Sequence, residues 1–171
     1  LLTTLTVAAF GTTALCHLAI VTRSLRVVGF VGIAASLAAA VCAFVLIWVD
    51  WSTGWEAQGD WFRALGVFAV VAASLAQANL LLLLASRTQP LIRVALWVTL
   101  AAVAIVAIML ILPILSDGDI PGDHGDGYWR TFGVVAILDA LGTIALPILG
   151  LVLRRAEPVP APVPAEEAVL R

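Results

Sequence analysis

The chain has 171 residues, of which 63% are hydrophobic and 12% charged, with a mean hydropathy of +1.11 and a formal charge of −2. Ordinary soluble domains carry roughly 45–50% apolar and 25% charged residues, so this composition is too apolar for a water-soluble domain of this size and makes the bilayer the expected solvent. A basic nucleic-acid surface is excluded as well, and the nine basic residues, all Arg, fit the bias of a GC-rich bacterial genome.

The first predicted span, residues 1–21, is apolar throughout, ends before Thr22, Arg23 and Ser24, and lacks the basic leader of a signal peptide. The second, 25–48, follows almost without a loop. A polar connector, 49–61, carries Asp50, Glu56 and Asp60 among Trp51, Trp55 and Trp61, with Trp48 at its edge; such aromatics mark a membrane interface. The third span is expected over 62–86. A short turn at 87–91 contains Pro90, which suits a first helical turn, where its missing N–H costs nothing. The fourth span covers 91–115, and the loop SDGDIPGDHGDG separates it from the fifth, 129–153. Each span has the ~20 residues needed to cross ~30 Å of hydrocarbon. Residues 1–155 thus form one expected transmembrane bundle, and 156–171, with alternating prolines, an extended tail. The fold class is an all-α integral membrane protein, a five-transmembrane-helix bundle.

Arg23, Arg26, Arg87, Arg93, Arg154 and Arg155 flank one side of these spans, and only Arg63 and Arg130 flank the other, beside the acidic loops. The arginine-rich side is expected in the cytoplasm, which puts the N-terminus outside and the tail inside a cell membrane. Laying 26–87 over 93–154 without gaps pairs Arg26 with Arg93, Asp50 with Asp117, Arg63 with Arg130, Gly66 with Gly133 and Arg87 with Arg154. Charged matches of this kind do not come from Ala and Leu bias. The constant offset of 67 residues predicts a duplicated helical hairpin, a parallel repeat about an axis along the membrane normal, with the first span left over or a sixth span preceding Leu1.

Asp139 in the fifth span is the feature hardest to explain by packing, since a carboxylate near the bilayer centre costs at least ~2.5–3.5 kcal/mol. Counting ~1.5 Å per residue, Asp139 lies about 13 Å below Arg130, Gln77 and Asn79 about 21 and 24 Å below Arg63, and His17 about 9 Å from Arg23. These depths allow a polar line of Asp139, Thr143 and then His17 with Gln77, and the candidate intramembrane polar site is Asp139, Thr143, Gln77, Asn79 and His17. Its roles are either a proton-bearing site or hydrogen-bonding helix contacts. Pro147 should bend the fifth helix and free a carbonyl near position 143.

Gly32, Ser36 and Ala40, with Gly133, Ala136 and Ala140, read either as packing inside one chain or as a dimer seam. Cys16 and Cys42 differ too much in depth to pair. Asp117, Asp119, Asp123, His124 and Asp126 form an oxygen-rich loop without the terminal Glu of an EF-hand, so a solvated acidic loop is expected. His17 is the one histidine inside a predicted span, which leaves haem without an axial pair. No catalytic, metal or phosphate-binding motif occurs, and no cofactor is expected. The expected role is therefore non-enzymatic: a structural or accessory membrane subunit, or alternatively a small transporter or proton-conducting protein using Asp139. Expected partners are lipid, other membrane proteins or further copies of the chain, and no nucleic acid.

Overall fold

The computed structural model describes residues 1–21, 26–49, 55–84, 90–122 and 125–156. Five helices follow in order: α1 (Leu2–Val21), α2 (Arg26–Trp48), α3 (Trp55–Leu84), α4 (Pro90–Leu115) and α5 (Asp126–Ala156), with no strand among the described residues. Within α2, α3, α4 and α5 lie stretches long and apolar enough to cross a membrane, and α1 contributes a shorter apolar stretch, Leu2–Leu18.

Helix α3 begins at Trp55, seven residues before the expected boundary, so half of the first polar connector is helical. Hydropathy does not register this extension, because Glu56, Ala57 and Gln58 favour helix without being uniformly apolar. Helix α5 likewise starts at Asp126, whose carboxylate suits the positive end of the helix dipole. Its 31 residues make it about 46 Å long, more than the hydrocarbon thickness requires. Residues Arg23, Asp50, Arg87, Asp123, His124 and the proline-rich tail lie outside the described residues.

Helix α3 packs against all four other helices, α1 and α2 on one side and α4 and α5 on the other. The two resulting trios are filled differently. In the first, α2 buries Gly29, Gly32, Ala35, Ser36, Ala39, Cys42, Ala43 and Leu46, a stripe with helical periodicity made almost wholly of small residues. Without a hydrophobic force between helices in lipid, such residues allow backbones to approach closely. Gly32 and Ser36 thus pack within the chain, whereas Ala40 is half-buried and Ala140 exposed. In the second trio, Leu81, Ile92, Leu96, Val103 and Leu146 form a branched aliphatic core. The outward faces carry exposed apolar side chains such as Phe30, Trp97, Ile108, Ile137 and Ile144.

The end of α4 is shaped by Pro113, which lacks the N–H that would bond the Met109 carbonyl. Tyr128, at the start of α5, donates its hydroxyl to that carbonyl. Beyond it, Asp117 takes a left-handed conformation (φ 55°) and the Gly118 N–H bonds the Pro113 carbonyl at 3.0 Å, the 6→1 bond that closes a helix C-terminus. Arg63 at the head of α3 pairs with Asp117 and lies 3.6 Å from Asp60, bringing that end of α3 beside the α4–α5 loop.

Candidate functional site

The five candidate residues fall into two clusters on different sides of α3. On the α5 side, Gln77 Nε2 donates to Asp139 Oδ1 and to Thr143 Oγ1, both at 2.8 Å. One turn separates Asp139 from Thr143, whose hydroxyl points at Oδ1 from 3.4 Å. The amide thus spends both its protons on a carboxylate and a hydroxyl, the two acceptors that α5 places on one face. Asp139 is buried and makes no ion pair among the described residues.

On the α1 side, Asn79 Nδ2 lies 2.9 Å from His17 Nδ1, and both side chains are buried. With the amide donating, Nδ1 is the acceptor and the ring proton sits on Nε2. Neither His17 Nε2 nor Asn79 Oδ1 has a hydrogen-bond partner; the Ala72 carbonyl lies beside the ring but does not complete a bond to Nε2. Each such buried orphan costs about 1–3 kcal/mol.

The expected line from Asp139 through Thr143 to His17 and Gln77 is therefore corrected: His17 pairs with Asn79, not with Gln77. The reason is azimuth. Residues two apart on a helix point about 200° from each other, so Gln77 facing α5 forces Asn79 toward α1. Depth along the bilayer normal carries no such information.

Two glycines hold these clusters, one of them directly. A Cβ on Gly32 would lie 2.3 Å from His17 Nδ1 and 2.4 Å from Cε1, so the imidazole rests on the α2 backbone. A Cβ on Gly142 would lie 2.2 Å from Thr99 Oγ1, which seats α4 against α5 just before Thr143. Thr99 is buried and its hydroxyl donates to the Ala95 carbonyl at 2.9 Å. Sequence reasoning missed Thr99, and it missed the 3.1 Å bond from Thr13 to Ser36, one turn from His17 and Gly32 respectively. The matched four-residue spacings, Thr13 to His17 and Gly32 to Ser36, were the available signal.

Other candidates stay apart from this region. Cys16 is exposed and Cys42 buried, both as free thiols. Asp117, Asp119 and Asp126 are exposed, and among the described residues no group of three His, Cys, Asp or Glu could hold a metal ion. Two cavities of about 410 and 330 Å³ lie where α1 and α2 meet, the smaller also reaching Phe62 and Leu65 of α3; neither is lined by a residue of the two clusters.

By length and composition, then, this is a helical bundle with the makings of a membrane protein, its buried polar groups gathered on either side of a central helix. Comparison with protein-family models, with curated proteins and with solved structures finds no match to this chain.

Proposed function

We propose that the chain is a five-span integral membrane protein of a bacterial cell membrane, and that it serves as a non-enzymatic structural or accessory subunit. The observation that carries this reading is the use of the intramembrane polar groups: Gln77 with Asp139 and Thr143, and Asn79 with His17, bond one helix to another within the bundle. Polar groups in lipid are expected to act as such interhelical ties, each of roughly 0.6–2 kcal/mol. The exposed apolar faces of α2, α4 and α5 then meet lipid and partner helices, and the proline-rich tail offers a cytoplasmic contact. Purification from native membranes in mild detergent, followed by mass measurement of the intact complex, is expected to give a fixed stoichiometry with a second chain. A protein that purifies and reconstitutes alone, with no companion at constant ratio, refutes the subunit role.

The duplicated hairpin belongs to the same reading. Shifted by 67 residues, α2 falls on 93–115, within α4, and α3 falls on 122–151, overlapping α5. The arginine distribution supports a cytoplasmic C-terminus. A cysteine at position 122, Gly122→Cys, should react with a membrane-impermeant thiol reagent from outside intact cells; labelling only after permeabilisation overturns the orientation.

A second reading is proton conduction through Asp139, favoured by a specific feature: Pro147 interrupts α5 one turn beyond Thr143 and two turns beyond Asp139, the only acid in the middle of a described helix. Asp139→Asn should abolish a pH-driven flux into vesicles if that reading holds, and should leave assembly unchanged if the first does.

A further inference from the structure

We infer that Asp139, Thr143 and Gln77 form a binding site for a monovalent alkali cation, closed in this structure by the Gln77 amide nitrogen. Three observations converge on it. First, Asp139 is a buried carboxyl without a basic partner among the described residues, and an acid inside a membrane helix ordinarily marks an ion or proton pathway. Second, the group now occupying the counter-ion position is an electropositive nitrogen, Gln77 Nε2, 2.8 Å from Oδ1 and 2.8 Å from Thr143 Oγ1. Third, the donors are all oxygens once the amide reverses: carboxylate, hydroxyl and Gln77 Oε1, a hard set suited to alkali and alkaline-earth ions.

The charge decides between those two classes. One carboxylate can neutralise one positive charge, and among the described residues no group of three His, Cys, Asp or Glu gathers to hold a metal ion, nor does a second acid hydrogen-bond within this cluster. The amide supplies the switch. Turning it over would set Oε1 against Oδ1, two acceptors that repel unless a carboxyl proton or a cation lies between them, so ion entry requires the reversal. Binding here is compatible with either role proposed above, because a cation between α3 and α5 ties the helices as the amide does.

The test uses the whole purified chain in detergent micelles, with thermal unfolding followed by tryptophan fluorescence. Sodium chloride is replaced stepwise by N-methyl-D-glucamine chloride at fixed pH and ionic strength. The expected result is a Tm that rises with sodium, by roughly 3–6 °C for each tenfold increase above the apparent Kd. Asp139→Asn should remove the response. Thr143→Val should weaken apparent affinity by about tenfold or more, with Thr143→Ser restoring it. Should either variant fail to fold, the wild-type exchange of sodium for the large organic cation still decides. A Tm indifferent to that exchange, a Tm that follows pH alone, or an unchanged response in Asp139→Asn each overturns the site.

Discussion

Replacing Gly32 by alanine adds one methyl group at the most crowded point of the α1–α2 seam. The new Cβ would stand 2.3 Å from His17 Nδ1, 2.4 Å from Cε1 and 2.6 Å from Cγ, inside any real contact distance, against a ring that is fully buried. The ring must move, and its Nδ1 is the atom that accepts from Asn79 at 2.9 Å. Overpacking of this kind costs about 1–3 kcal/mol, and the buried amide left behind costs about 1–3 kcal/mol more. The expected destabilisation is therefore about 2–6 kcal/mol. It can be measured by unfolding in mixed micelles with rising dodecyl sulfate fraction. The comparison variant is Gly133→Ala, where nothing lies within 4 Å of the added Cβ and the expected change is within about 0.5 kcal/mol. In a double-mutant cycle, His17→Ala should recover much of the Gly32→Ala loss, since the clash is with that ring. Equal effects at positions 32 and 133, or strict additivity of the two changes, would refute the packing argument.

Tyr128→Phe removes the hydroxyl that satisfies the Met109 carbonyl and should cost about 0.5–1.5 kcal/mol; in a Pro113→Ala background, where the helix supplies its own N–H, the loss should vanish. Gln77→Leu takes both donors from Asp139 and Thr143 and is expected to destabilise by about 1–3 kcal/mol in the same micelle assay, with no loss if Asp139 is also changed to Leu. Gly142→Ala meets Thr99 Oγ1 and should lower stability by about 1–3 kcal/mol, and by less when Thr99 is changed to Ala, which leaves only its Cβ 3.0 Å away; a Gly142→Ala protein as stable as wild type contradicts the described seam.

Hydropathy carries most of the helical architecture, because the long apolar stretches of α2 to α5 are continuous and are bounded by charged or turn-forming residues. It does not carry the start of α3, where Trp55 to Asp60 is helical in a polar stretch. Among the polar residues, depth counting from the arginines put Gln77 within reach of Thr143, and the two are bonded. What depth could not supply was rotation about the helix axis, so His17 was matched with Gln77 when its partner is Asn79. Nor could it supply the glycine contacts: Gly32 and Gly142 matter through what stands opposite them, and those neighbours, His17 and Thr99, come from other helices.

Gln77 and Asn79 together pin the rotational setting of α3. A turn of that helix in either direction swings one amide away from α5 and the other away from α1 at once, because the two side chains act on opposite sides of a common axis. Relaxing one contact cannot improve the other. Any rearrangement that keeps both must move α3 together with its neighbours, or bend α5 where Pro147 already interrupts its backbone bonding. A central element held this way behaves as a fixed post, and the freedom left to the bundle lies in the helices around it.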